Sequence, residues 1–194
     1  MARPSERQCL QALKLRLQEG LRRFDTAELT VTLGTEVWLS YAREVMGYGE
    51  PAQNPENNQY RLDLVIFDVA AGGRTRIPRV AIEFKLDTVT GNDAIAYNEK
   101  ARNYLIIYPY LRCWLLVLNW GTSSLPARLV RAAPDLAHIG VLEDLQPTED
   151  ELLEMVANLG EEIEGSRRLQ ALLLENRKCD KTMYRFLRRR LVFG

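Results

Sequence analysis

A chain of 194 residues with no net charge, 46% hydrophobic and 27% charged, has the balance of one globular domain, taken here as residues 1–194. Its longest apolar runs, such as Leu105–Tyr108 and Trp114–Leu118, are too short to span a bilayer, and zero net charge makes no general case for a polyanionic partner. Cys9, Cys113 and Cys179 are widely spaced, His138 is the lone histidine and the opening Met-Ala-Arg-Pro-Ser-Glu-Arg has no apolar run, which excludes a zinc or disulfide scaffold, gives no sign of a membrane and predicts a cytoplasmic protein.

In chain order, Ser5 caps a predicted helix whose apolar positions Leu10, Leu13, Leu15, Leu17 and Leu21 run to Phe24. Thr35 caps a second predicted helix, Glu36 to Met46, stopped by Gly47-Tyr-Gly, and Pro51 to Asn58 reads as a polar loop. Residues 60–70 and 79–87 are rich in β-formers and joined by a Gly-containing connection, the pattern of a hairpin. A helix from Asp93 to about Ile107 places Ala94, Tyr97, Ala101, Tyr104, Leu105 and Tyr108 on one side, and Pro109 stops it. Arg112 to Trp120 reads as a buried strand, with shorter strands near Leu129 and at Ile139–Leu142. The last 45 residues read as two helices separated near Gly160–Gly165, a helical extension over about 147–192. The fold class is α/β, with helices on a mixed sheet and extra helices at both ends.

Charge is uneven near the C-terminus. Residues 143–164 carry nine acids and no base, whereas residues 166–190 carry nine bases, Arg167 to Arg190, against Glu175 and Asp180. Two solvated faces are the plain reading, and a basic helix on a phosphate backbone is the sharper one.

The residues that carry chemistry sit on the central strand pair. Asp63 heads the apolar run Leu-Val-Ile-Phe, and Val80-Ala-Ile-Glu83-Phe-Lys85 closes the next strand. Alternation puts Glu83 and Lys85 on one face and Asp63 with Val65 and Phe67, while Asp68 points the other way. A hairpin turning near residues 73 and 74 sets partners whose numbers sum to about 146–148 and brings Asp63, not Asp68, opposite residues 83–85. That arithmetic requires an unbulged connection. Two converging carboxylates beside an apolar strand are costly unless a cation joins them, and a hard cation such as Mg²⁺ takes carboxylate oxygens while keeping places for water and a phosphate. No phosphate-binding glycine loop and no serine-nucleophile elbow is present. Trp114, Trp120 and the tyrosines 104, 108 and 110 offer stacking surfaces, but core packing is their plainer use, as it is for Cys113.

Asp63-Leu-Val-Ile-Phe followed by Ile82-Glu83-Phe84-Lys85 resembles the motif of the PD-(D/E)XK nuclease superfamily, with Leu62 where the nominal motif has proline. The resemblance covers about residues 34–120. It implies a restriction-endonuclease-like αβββαβ core, about 34–142, whose first antiparallel strand is short or lies at residues 28–33. It further implies a Mg²⁺-dependent endonuclease that hydrolyses phosphodiester bonds, with Mn²⁺ a possible substitute and an RNA-directed nuclease as an alternative. Asp63, Glu83 and Lys85 would be catalytic: the two carboxylates hold the metal, and Lys85 orients or activates the attacking water. The family often adds an acid from the preceding helix, and Glu36, with Glu44 as the alternative, matches it. Lys100-Ala-Arg-Asn-Tyr104 has the spacing of a Gln-x-x-x-Tyr pattern, with Lys in place of Gln. Lys100, Arg102, Arg185, Arg188 and Arg189 are the nucleic-acid-binding candidates. DNA is favoured over RNA as substrate, a homodimer would supply two sites for two strands, and a catalytically inert binding module on the same fold stays open.

Overall fold

The computed structural model describes residues 4–26, 29–40, 59–70 and 76–176. The elements are α1 (Glu6–Leu21), β1 (Leu29–Ser40), β2 (Gln59–Ala70), β3 (Arg76–Leu86), α2 (Gly91–Ile107), β4 (Arg112–Leu118), α3 (Ala127–Ala132), β5 (His138–Val141) and α4 (Glu149–Asn176). The strands form one sheet in the order β1-β2-β3-β4-β5. β2 runs antiparallel to both of its neighbours, β1 and β3, and β4 and β5 continue the sheet in parallel with β3. Parallel neighbours need crossovers, which α2 and α3 supply. The α1 and α4 helices cover one face, against Val31, Leu64, Ile66, Ile82 and Leu116. The other face packs on α2 and α3 through Val65, Ala81, Ala101, Tyr104, Leu115 and Leu129. All seven residues of β4 are buried, because helices cover both its faces.

Local signals explain most boundaries. The Ser5 hydroxyl accepts from the Gln8 N–H while the Gln8 carboxamide accepts from the Ser5 N–H, a capping box that starts α1. Leu10, Leu13, Leu17 and Leu21 are buried with Cys9, whereas Leu15 is 73% exposed. Thr90 and Asp93 form a second capping box, so α2 begins at Gly91, two residues before the expected start.

Three expectations are corrected. Residues 36–40 are not helical: they complete the twelve-residue strand β1, paired with β2 from Leu29↔Ala70 to Ser40↔Gln59. Thr30, Val31, Thr32, Thr35 and Val37 favour the pleated backbone, and long-range pairing outweighs the weak helical period that follows. Residues 41–46 of that expected helix, and the loop at 51–58, lie outside the described residues. Leu129 belongs to the short helix α3, not to a strand. α4 runs unbroken through Gly160 and Gly165 for 28 residues.

Gly160 serves packing. A Cβ there would lie 2.0 Å from Phe24 Cζ, so the glycine admits the Phe24 ring against the helix. Gly160→Ala gains about 1 kcal/mol of helix propensity but overpacks this contact, which typically costs about 1–3 kcal/mol. We expect net destabilisation, read as a lowered urea midpoint. Phe24→Leu in the same background should recover part of it.

Buried charges lock α4 to the sheet. Asp68, fully buried, accepts from Arg79 Nε (2.6 Å), Arg167 Nε (2.9 Å) and Arg167 Nη2 (2.6 Å). Arg167 also donates to Glu164 (2.5 Å) and to the Phe24 carbonyl (3.2 Å). Arg112 at the start of β4 pairs with Glu162 of α4, both buried. Arg167 from the basic run and Glu162 from the acidic run are therefore interior groups rather than parts of solvated faces.

The β2–β3 register carries one shift. Leu64↔Ile82, Val65↔Ala81 and Ile66↔Val80 sum to 146, whereas Phe67↔Pro78, Asp68↔Ile77 and Val69↔Arg76 sum to 145. Arg79 is the extra residue, a bulge that turns its guanidinium to Asp68. It falls on the far side of Ile66 from Asp63, so the register leading to Glu83 is undisturbed.

Candidate functional site

The site forms where β2 and β3 part. Their last pair is Leu64↔Ile82. In a continued register the Phe84 N–H would face Leu62; instead it donates to Asp63 Oδ2 at 2.9 Å. The Asp63 carboxylate thus lies in the gap between the strands and caps the open ladder. On its other side, β1 and β2 pair at Thr35↔Leu64 and Val37↔Leu62, skipping Glu36, whose register mate is Asp63. Glu36 has φ of 52°, a left-handed conformation that non-glycine residues seldom adopt. Alternation breaks here: Leu62 packs with Val65 and Phe67 towards α2, while Leu64 packs towards α1 and α4. Asp63 therefore does not simply share the face of Val65 and Phe67.

Glu83 is buried, and its Oε1 accepts from Lys100 Nζ of α2 at 3.0 Å. Burial, aided by the charge and hydrogen bond of the neighbouring Asp63, pushes the Glu83 carboxyl from its ordinary 4.5 up to about 7, against the opposing pull of Lys100. Lys85, two residues on, reaches Asp93 at 3.3 Å in the first turn of α2. Hydrogen bonds from Thr90, and then Lys85, hold the Asp93 carboxyl below its usual range. Lys100 also lies over the rings of Tyr97 (5.3 Å) and Tyr60 (5.7 Å), a cation held by two aromatic faces and one carboxylate. A cavity with about 10 Å³ of free space, the size of one water, is lined by Leu62, Glu83, Tyr97, Lys100 and Tyr104.

The Glu6 carboxyl in the first turn of α1 is raised above its ordinary value by burial and by the charge of Asp63, against the opposing pull of Lys85. Burial, and then Glu83, Asp63, Asp93 and Glu6, also raise the Tyr97 phenol. In the sequence Glu6 directly follows a capping serine, where an acid is explained by the helix dipole alone. Nothing local distinguishes it.

The other candidates are dispersed. The Glu36 carboxylate engages Arg7 (3.3 Å) and Arg61 (3.7 Å). Arg102 pairs with Asp135 (3.2 Å) and Glu99 (3.4 Å), whereas Lys100, expected at a phosphate, bonds Glu83. Glu44, Arg185, Arg188 and Arg189 lie outside the described residues. Cys113 is buried and its thiol is pushed up to about 12, chiefly by burial, as suits a packing residue. Trp114 is likewise interior, stacked on His138.

Among the described residues no group of three or more His, Cys, Asp or Glu is arranged to hold a metal ion. The donor chemistry at Asp63 and Glu83 is nonetheless that of a hard cation: two adjoining carboxylates, one with a raised pKa, and no nitrogen or sulfur ligand. Mg²⁺ commonly uses only one or two protein carboxylates, with waters and substrate phosphate completing its shell.

The Glu83 shift has a measurable consequence. Its folded value lies above the unfolded one, so protonated Glu83 stabilises the fold below about pH 4.5, and this contribution is lost as pH rises to about 7. The stability difference between wild type and Glu83→Gln should change across that window and be flat above it, as read from urea midpoints at a series of pH values. Searches of family models, of curated proteins and of solved structures each returned no match to this chain.

Proposed function

We propose that this chain is a metal-dependent nuclease of the PD-(D/E)XK type that hydrolyses phosphodiester bonds, with DNA the favoured substrate. The observation that carries this reading is the adjacency of the Asp63 and Glu83 carboxylates at the parting of β2 and β3, with Lys85 two residues along the strand. The order of one helix, three antiparallel strands, a helix and a parallel strand supports it, since it follows the αβββαβ pattern.

Asp63 and Glu83 would hold Mg²⁺, with waters and the substrate phosphate completing its shell. When bound, the ion lowers the pKa of water and offsets charge growing on the phosphate. The protein groups do the rest. Lys100 stabilises the ionised form of Glu83, the form that can bind a cation. Lys85, tethered loosely to Asp93, orients the water or takes its proton as water oxygen bonds to phosphorus and the phosphorus–oxygen bond to the leaving nucleotide breaks. The raised Glu83 pKa predicts that protons compete with the cation for this carboxylate, so that the Mg²⁺ requirement rises as pH falls.

One observation favours a second reading, an inert binding module: Lys100 already places a cation on Glu83. Incubating the wild-type protein with labelled duplex, junction and single-stranded DNA and with RNA, in Mg²⁺, Mn²⁺ or chelator, separates the two. Cation-dependent cutting supports the nuclease. Salt-dependent binding with no cutting in any cation supports the module.

A further inference from the structure

Trp38 is 61% exposed on β1, an unusual position for an indole that normally contributes a large buried apolar surface. Its partner across β2 is Arg61, whose side chain is 57% exposed. Directly opposed residues hold their Cβ atoms about 4.5–5.5 Å apart, so the ring and the guanidinium occupy one patch. The flanking Val37 and Leu39 pack on the other side, with Tyr60 and Leu62. The patch therefore lies on the face that carries α1, beside its first turn. There Glu36 links Arg61 to Arg7, leaving two guanidinium groups for one carboxylate. Arg61 is two residues from Asp63, roughly 7 Å along the strand.

An exposed ring with a cation beside it matches the two parts of a nucleotide, a π-face and a phosphate. Bases within a duplex present only their edges, so a stacking surface is usable only by an unpaired base. We propose that Trp38 and Arg61 form a platform that stacks an unpaired base next to the scissile phosphate, which makes the substrate single-stranded DNA or duplex with an unpaired segment at the cut. This rests on the nuclease reading and adds the substrate form to it.

The test is fluorescence anisotropy of a labelled oligodeoxythymidine and of a blunt duplex, with wild type, Trp38→Ala, Trp38→Phe and Arg61→Ala, in chelator so that nothing is cut. Loss of one stacked base corresponds to roughly a 5- to 150-fold weakening. We expect Trp38→Ala to show it on the single strand, with little change on the duplex, and Trp38→Phe to keep most of the affinity. Arg61→Ala should reduce the salt slope by about one unit. Single-strand binding unchanged in Trp38→Ala, or equal losses on single strand and duplex, overturns the platform and leaves the nuclease reading standing. Wild type binding neither DNA overturns both. Thermal melting of each variant accompanies the titrations, and because Trp38 is exposed, Trp38→Ala should melt close to wild type.

Discussion

Asp63→Asn is expected to lower cation-dependent cleavage by roughly 10²- to 10⁴-fold, the usual range for loss of one electrostatic or acid–base group in an active site. The substitution separates chemistry from folding. The asparagine side-chain oxygen can still accept the Phe84 N–H that Asp63 takes at 2.9 Å, so the end of the ladder stays capped. What disappears is the negative charge, both as a cation ligand and as a neighbour that raises Glu83. The Glu83 pKa should therefore fall in Asp63→Asn. Carbon-13 NMR of the glutamate carboxyls checks this directly, and comparative urea melts check that the fold is intact. A variant that folds, titrates as expected and cuts at the wild-type rate would remove Asp63 from the chemistry.

Asp68→Ala should be among the most destabilising single changes. Asp68 is fully buried and is the shared acceptor for Arg79 and Arg167. Removing it leaves two guanidinium groups facing each other in the interior. Breaking a buried pair by deleting one partner typically costs about 3–5 kcal/mol, a large share of the roughly 5–15 kcal/mol that holds most domains together. An exposed pair such as Arg102–Glu99, more than half exposed on both sides, should respond by less than about 1 kcal/mol. Equilibrium urea unfolding distinguishes the two by their midpoints at constant slope. Asp68 and Asp63 thus make opposite predictions, one for stability and one for activity, although they stand five residues apart on the same strand.

Hairpin length brought Asp63 rather than Asp68 to the level of Glu83 in the sequence, but the break in alternation between Leu62 and Leu64, which turns Asp63 into the gap between the strands, was not legible there. The one-residue bulge at Arg79 was invisible, yet it falls between Asp68 and the site and leaves the register up to Leu64↔Ile82, the last pair before Asp63 and Glu83, unshifted. The Ser5 cap with apolar spacing likewise marked α1, and apolar spacing marked α2 and β4. The second half of β1 was read as helix because Glu36-Val-Trp-Leu has no clear period of its own, and its conformation is set by pairing with β2, a contact between residues more than twenty positions apart. The same holds for the site's supporting groups. Lys100 meets Glu83 only after α2 docks on the sheet. Glu36, expected on a helix, stands on β1 and engages Arg7 and Arg61, a placement that the packing of α1 on the sheet decides. The unbroken α4 was hidden for a related reason: Gly160 resembles a helix break locally and is a packing contact with Phe24 in three dimensions.

The most direct measurement of the central claim is the initial rate of phosphodiester cleavage as a function of Mg²⁺ concentration, for wild type beside Glu83→Gln and Lys85→Ala. The account predicts saturable Mg²⁺ dependence in the wild type, abolished by chelator, with Glu83→Gln raising the Mg²⁺ requirement and lowering the maximal rate. Lys85→Ala should lower the maximal rate and leave the Mg²⁺ requirement nearly unchanged. A wild type that cuts nothing in any cation, or two variants that cut as it does, would contradict it.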